Sequence, residues 1–283
     1  MPELPEVETI ARGLAKRVTG EVVESVWLGQ KKEPLKSPAR DIAAALEQSR
    51  IAAVRRMGKH IVFDLESVLP ANVRKPKTAL KESRRNKAQW IVHLGMTGSL
   101  RVCEPQTEIA KHTHAILKLS SGRELRFVDP RRFGRLSVSA AFDATGVEPL
   151  EVDLERFVTL FRGRKTPIKS ALLNQKLLRG VGNIYADESL FRAGIRPRRR
   201  ASSITREQLR RLFLAVKEVL TEAIALGGSS ISDYVDADGE EGFFQLQHRV
   251  YDREGEPCLV CKTPVKRVVI AGRSSHYCPK CQK

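Results

Sequence analysis

Near the start of the chain Val7, Ile10, Ala11, Leu14 and Val18 recur at helical spacing and predict an amphipathic helix with one buried stripe. Pro5 suits its first position, and acidic residues suit its first turn. The period then changes. Between residues 20 and 150, runs at 61–65, 90–94, 114–119, 124–128 and 135–138 are short and β-branched or aromatic, and are often separated by Gly, Ser or Pro. Short strands at this spacing predict an antiparallel sandwich or barrel. One further helix is expected at 41–49. The stretch 68–89 interrupts the pattern. From 72 to 87 it carries Arg74, Lys75, Lys77, Lys81, Arg84, Arg85 and Lys87 against Glu82 alone. It reads as a surface insert, either a solvated loop or an extra electrostatic arm.

From about residue 151 the helical period returns. Leu154, Phe157, Val158, Leu160 and Phe161 predict one helix, and Ile168, Leu172, Leu173 and Leu177 a second. Asn183, as N-cap, opens a third that runs to Ala193, and 205–226 is a long amphipathic fourth. Residues 227–249 are rich in Gly, Ser and Asp and read as a long loop, a kind that is often functional in a compact protein. The expected organisation is 1–140, 150–240 and 250–283, with no internal repeat.

Length and charge sharpen this picture. The chain has 283 residues, 41% of them hydrophobic, which is enough for two or three modest cores. No apolar run reaches membrane-spanning length, so a cytoplasmic protein with no membrane partner is expected. The formal net charge is +17, and acidic residues are still plentiful, so the excess is not a disordered basic tail. A folded protein this basic is expected to meet a polyanion, most often nucleic acid.

Four of the five cysteines lie in the last twenty-six residues, as Cys258-Leu-Val-Cys261 and Cys278-Pro-Lys-Cys281. Two such knuckles match a four-thiolate zinc site. All four vertices would be sulfur, so the zinc is expected to be structural. The intervening segment can form a hairpin, which carries Lys262, Lys266, Arg267 and Arg273. Cys103 stands alone in a strand-like run and is expected in the core.

Other motifs are more equivocal. Gly180-Val181-Gly182-Asn183 joins two expected helices and reads equally as a tight turn or as a phosphate site, with Arg164, Lys165 and Lys169 upstream. Asp129-Pro130-Arg131-Arg132-Phe133-Gly134 places guanidiniums beside a ring at a strand end, where a Phe can wedge between bases and an Arg can meet a base edge. His93-Leu94-Gly95-Met96 looks like a strand ending in a glycine turn, with Met96 in the core by default. Arg55, Arg56 and Lys59 have a surface face as their default. His112 and His114 are not an obvious metal pair. Pro2 follows the initiator Met. Once Met1 is removed it would carry a secondary amine, partly unprotonated near neutral pH and able to attack an electrophilic carbon, with Glu3 and Glu6 close by in sequence.

Together these residues closely resemble the bacterial formamidopyrimidine-DNA glycosylase (Fpg/MutM) family. The resemblance rests on 2–9, 93–96, 129–134, 180–183 and the cysteine module ending in Gln282-Lys283, and it covers nearly the whole chain in order. It implies an α+β multidomain fold: an N-terminal two-layer antiparallel β-sandwich with flanking helices, a helix-two-turn-helix domain and a C-terminal β-hairpin zinc finger. The implied activity is that of a bifunctional DNA glycosylase and abasic-site lyase of base excision repair. It would remove 8-oxoguanine and formamidopyrimidines and nick the strand by β,δ-elimination.

By the same resemblance Pro2 is the nucleophile and Glu3 the general acid. Lys59 transfers protons, and Arg273 serves δ-elimination and phosphate binding. Glu6 matches a second active-site carboxylate. His112, Arg131, Arg164 and Asn183 fall at DNA contacts. Met96, Arg131 and Phe133 match the side chains that fill the hole left by an everted base. One structural Zn2+ on Cys258, Cys261, Cys278 and Cys281, double-stranded damaged DNA as partner, no organic cofactor, a monomer and a nucleoid-associated location complete the expectation. Two other readings remain at this point. One is the sister endonuclease VIII type, which prefers oxidised pyrimidines. The other is a non-enzymatic zinc-ribbon DNA binder, which leaves Pro2, Glu3 and Lys59 unexplained. The stretch between Lys59 and His93 is longer than the family usually has.

Overall fold

The computed structural model describes residues 1–68, 87–230 and 242–283. Most of the basic insert and the middle of the 227–249 loop fall outside them. The described residues form two compact units. One comprises Met1–Pro2 and the described part of Glu6–Asp143, with Ser230 and Gly242; the other comprises Glu3–Pro5, Ala144–Ser229 and Phe243–Lys283. Among the described residues no helix is long and apolar enough to cross a membrane.

The first unit contains most of helix α1 (Leu4–Val18), helix α2 (Ala39–Leu46) and eight antiparallel strands. These are β1 (Val22–Leu28), β2 (Ser49–Met57), β3 (His60–Ser67), β4 (Lys87–His93), β5 (Ser99–Cys103), β6 (Thr113–Leu119), β7 (Glu124–Val128) and β8 (Arg135–Ser139). They pair in the order β5-β7-β6-β1-β2-β3-β4-β8. Strands β7 and β8 are six places apart, which would be roughly 29 Å in a flat sheet. Yet Gly134, just before β8, faces Phe127 of β7 so closely that a Cβ there would lie 2.5 Å from the ring's Cζ. The sheet therefore folds over on itself into two layers. Its register shifts near Val23, Ile51 and Thr113, where bulges of this kind bend strands. Val7, Ile10, Leu14 and Val18 of α1 pack into one core with Phe63, Trp90, Leu117, Phe127 and Leu136.

In the second unit are α3 (Leu154–Phe161), α4 (Ile168–Leu172), α5 (Asn183–Ala193) and α6 (Arg206–Ala225), and a hairpin of β9 (Lys266–Ile270) and β10 (Arg273–Tyr277). Asp153 caps α3, and Thr205 with Gln208 forms a capping box on α6. Leu172, Tyr185, Leu190, Leu212, Val216, Leu220 and Phe244 form its core, joined by Leu4.

Three expectations about elements change. The helix expected at 41–49 ends at Leu46, because Gln48 takes a positive φ of 53° and Ser49 opens β2. The second helix stops at Leu172: Leu177 and Leu178 are bound through Asn174 in a turn. The N-cap of α5 is Gly182, and Asn183 is its first helical residue. Cys103 lies in β5 but is only half-buried.

The folding-over can be tested at Gly134, whose φ is not in the left-handed region, so that added bulk acts only through space. Gly134→Ala is expected to cost about 1–3 kcal/mol by overpacking. Both tryptophans, Trp27 and Trp90, lie in this unit, so urea unfolding followed by tryptophan fluorescence reads it selectively. A double-mutant cycle with Phe127→Leu should recover part of the loss, and strict additivity would exclude the contact.

Candidate active site and nucleic-acid interface

The N-terminal residues meet the opening of α5. The Leu4 N–H donates to Gly180 O at 3.0 Å, and Gly180 has a φ of 92°. Glu3 is only 5% exposed, and its Oε1 accepts from the Ile184 N–H, at 3.3 Å, in the first turn of α5. A carboxylate there faces the positive end of the helix dipole and satisfies a helix N–H that has no partner within the helix. Both glycines of 180–183 are explained sterically. A Cβ at Gly180 would press on Leu4, and one at Gly182 would overlap the Glu3 carboxyl. Burial pushes the pKa of Tyr251 up, the Asn183 side chain opposes this, and the charge of Glu3 adds to the rise.

Behind this end lies a buried ionic network. Lys169 of α4 is fully buried, with Nζ 2.7 Å from Asp187 Oδ1 and 2.6 Å from Ser274 O. Burial pushes its pKa down, and Asp187 opposes that. Asp187 Oδ2 accepts from the His276 N–H at 2.8 Å. Helices α4 and α5 are thus tied to β10, the strand that begins with the exposed Arg273. Glu188, next along α5, is also fully buried and accepts from the N–H groups of Arg249, Val250 and Tyr251 at 2.8–3.0 Å. Its pKa is raised by burial, and those backbone bonds oppose the rise.

Arg273 follows the two-residue turn Ala271-Gly272, whose φ values of 48° and 76° are those of a type I′ hairpin. The hairpin lies between the two knuckles. The ligand atoms of Cys258, Cys261, Cys278 and Cys281 lie within 4.8 Å of one another, and two Sγ pairs stand at 3.9 and 3.4 Å. Zinc–sulfur bonds of about 2.3 Å place tetrahedral thiolates roughly 3.8 Å apart, so the set fits one zinc ion. The Gln282 side chain accepts from the Cys278 N–H and donates to Ile195 O, fixing the second knuckle against the end of α5.

In the first unit, Met57 pairs with His60 across the turn Gly58-Lys59. Only Gly58 has a positive φ, 60°, as a type II′ turn requires. Lys59 is nevertheless only 8% exposed. Arg56, also expected at the surface, has a buried side chain paired with Glu8 at 2.7 Å. Beside the turn, the His60 and His93 rings lie 5.0 Å apart. Burial, then the charges of His60, Arg135 and Lys59, push the His93 pKa down to about 4. The Gly95 N–H donates to His93 Nδ1 at 3.1 Å, which leaves the proton of the neutral ring on Nε2.

The strand β4 then enters the 94–98 loop, which abuts the 129–134 loop so tightly that a Cβ at Gly95 would lie 2.5 Å from Gly134 N. Met96 and Phe133 are 45% and 52% exposed on these loops, and the Arg131 guanidinium stacks 4.9 Å from the Phe133 ring centre. A groove of about 380 Å3 runs beside them, lined by Glu33, Lys36, Arg131, Arg132, Phe133 and Arg135. His112 is exposed just before β6.

Three family models cover nearly the whole chain: the formamidopyrimidine-DNA glycosylase N-terminal domain over residues 1–136, the formamidopyrimidine-DNA glycosylase H2TH domain over 145–235, and the zinc finger found in FPG and IleRS over 255–283. The chain belongs to the formamidopyrimidine-DNA glycosylase family. The formamidopyrimidine-DNA glycosylase of Solibacter usitatus is 46% identical across the full length of both chains. Lactococcus lactis Fpg in complex with DNA containing an abasic site is 29% identical, covers 99% of each chain and superposes with a TM-score of 0.85. MutM in complex with DNA containing carbocyclic 8-oxo-G is 30% identical over the whole of both chains, also with a TM-score of 0.85.

Within this Fpg-family chain the expected site residues fall into distinct settings. Glu3, Asn183 and Arg273 belong to the second unit, together with the four cysteines. Lys59, Met96, His112, Arg131 and Phe133 belong to the first, and Pro2 is half-buried with Met1 ahead of it. Met96 is exposed, contrary to its default reading. Arg164 is exposed with Nε donating to Leu160 O at the end of α3, whereas Lys169 is no surface cation at all. No sequence signal pointed to His60, Asp187 or Glu188, and His93 stood out only as part of the 93–96 motif, with no role of its own. A buried acid inside a helix leaves no periodic mark, and its pairing with Lys169 on another helix arises only in the folded chain.

Two measurements follow. The folded chain resists protonation of His93 that the unfolded chain accepts near pH 6.5, so its contribution is complete above that pH. It is lost as pH falls toward 4, by up to roughly 3 kcal/mol. His93→Asn should flatten the pH dependence of tryptophan-monitored stability across that window, and an unchanged slope would contradict the depressed pKa. Separately, zinc removal by a chelator, or Cys278→Ser, should loosen the 258–281 module and raise thiol reactivity there, while α1–α2 and β1–β8 keep their stability. Full protection of the thiols after verified metal loss would show that the fold alone holds them.

Proposed function

We propose that this chain is a bifunctional DNA glycosylase and abasic-site lyase that removes oxidised purines, 8-oxoguanine and formamidopyrimidines, from double-stranded DNA. The observation that carries this reading is the buried Glu3 carboxylate. It is seated at the first turn of α5 directly after Pro2, in a chain matched along its whole length by formamidopyrimidine-DNA glycosylases. Residues 1–140 form the catalytic domain, 150–240 the helical DNA-binding domain and 250–283 the zinc finger. The protein works as a monomer, in the cytoplasm and on the nucleoid, with no organic cofactor.

Removal of Met1 exposes the Pro2 secondary amine. Its lone pair attacks C1′ of an everted nucleotide, the glycosidic bond breaks, and the base leaves with its electron pair and gains a proton. Glu3 protonates the sugar ring oxygen as the C1′–O bond opens, leaving an iminium between Pro2 and C1′. The iminium acidifies the C2′ proton. Lys59 assists its removal, and the 3′-phosphate is expelled. Loss of the C4′ proton expels the 5′-phosphate, with Arg273 stabilising phosphate charge. Water then hydrolyses the iminium and frees the amine. His112, Arg164 and Asn183 hold phosphates, while Met96, Arg131 and Phe133 fill the vacated stack. That filling offsets an extrusion cost of a few kcal/mol. The zinc holds the hairpin that carries Arg273 and takes no part in bond-making.

Borohydride should trap a covalent protein–DNA adduct on duplexes bearing 8-oxoguanine or an abasic site. Pro2→Gly, or protein retaining Met1, should lower its yield at least tenfold, equivalent to about 1.4 kcal/mol. Lys59→Ala should slow 8-oxoguanine removal more than incision at a preformed abasic site. A wild-type protein that forms no adduct would end the enzymatic reading, and preferential cleavage of an oxidised-pyrimidine duplex would move the substrate class.

A further inference from the structure

Asp129 is fully buried, and neither the catalytic residues nor the DNA contacts named above include it. Its Oδ1 accepts from Thr97 Oγ1 at 2.6 Å and from the Arg131 N–H at 3.3 Å. Its Oδ2 accepts from the Gly134 N–H at 2.7 Å. Its own N–H donates to His112 O at 3.0 Å, and its carbonyl accepts from His114 Nε2 at 2.9 Å. One residue therefore ties together the loop of Met96, the loop of Arg131 and Phe133, and the segment of His112.

The carboxylate is well suited to this. Each of its three partners is an uncharged donor on one of the two loops, and a carboxylate can accept from all of them at once. A neutral side chain does not supply that. Asn has one acceptor oxygen, and its NH2 would face a donor. The glycines close the same joint by letting the two backbones touch, as at Gly95 and Gly134.

We propose that Asp129, acting with the Thr97 hydroxyl, is a positioning residue that sets the spacing of Met96, Arg131 and Phe133 and thereby governs base eversion and discrimination of the opposite base. This rests on the function proposed above. The Asp129 carboxylate touches neither sugar nor base. Its loss acts on the step that opens the pair, where three side chains must enter the stack together, and spares the chemistry on a sugar whose base is already gone.

The test uses the full-length chain with Thr97→Val, which keeps shape but removes the hydroxyl, with its bond to Asp129 and the one it accepts from the Arg131 N–H at 3.3 Å, and Asp129→Asn as the stronger variant. Excision of 8-oxoguanine opposite cytosine should fall about tenfold in Thr97→Val and further in Asp129→Asn. Incision of a preformed abasic site should stay within about twofold, and the ratio of rates opposite cytosine and adenine should shrink. The fluorescence rise of 2-aminopurine placed beside the lesion, which reports local unstacking, should weaken in parallel. Thr97→Ser, which restores the hydroxyl, should recover excision and the fluorescence change. Equal excision by Thr97→Val and wild type would overturn the inference, as would a parallel fall on both substrates with the opposite-base ratio intact. If wild type gives no borohydride adduct, the proposed reaction fails and takes the inference with it. An adduct from wild type with Thr97→Val unaltered removes the inference alone.

Discussion

A carboxylate taken out of water has to be met by donors, and four of the seven buried acids among the described residues impose that demand where the proposed chemistry lies. Glu3 is met by the opening turn of α5, Asp129 by two loops, Asp187 by Lys169 and the backbone of β10, and Glu188 by three successive N–H groups. Leaving such a group unpaired costs several kcal/mol, far more than an ordinary surface contact returns. Each acid therefore fixes the main chain around it. The segments fixed in this way are the ones that carry the proposed chemistry: the N-terminal residues, the Met96 and Phe133 loops, and the approach to Arg273.

This explains how irregular backbone can hold reactive side chains in defined places. Loops usually lie on the surface because their polar groups need water. Here the buried acids take over that role. At Asp129 and Glu188 the donors are mostly backbone amides, so side chains on the same residues remain available for other contacts. The zinc module applies the same logic with sulfur, four thiolates converging where a small hairpin has little core of its own.

Much of the architecture was legible in the sequence because it follows from periodicity and punctuation. The α1 stripe, the strands at 61–65, 90–94 and 124–128, and the cysteine knuckles all correspond to described elements. The strand β2 was harder, since Ala52, Ala53, Arg55 and Arg56 dilute its apolar pattern, and Arg56 is buried only because Glu8 of α1 meets it. The second helix is shorter than its apolar pattern suggests because Leu177 faces the core from a turn. The site divides in the same way. The cysteines and the residues of the DPRRFG and GVGN segments announce themselves locally. Burial of Lys59 and Lys169, and the meeting of Glu3 with α5, depend on partners distant in sequence, which no local pattern contains.

The fit of Gly182 around the Glu3 carboxyl has a practical reach. A methyl group at position 182 has no space except that occupied by the acid, while the hydrophobic interior of the second unit gains no bulk. Damage there would strike the acid and the turn that seats it, so the loss of function would outrun the loss of fold. Surveys that score variants only by abundance would pass such alleles as benign, and only a readout of repair would reveal them.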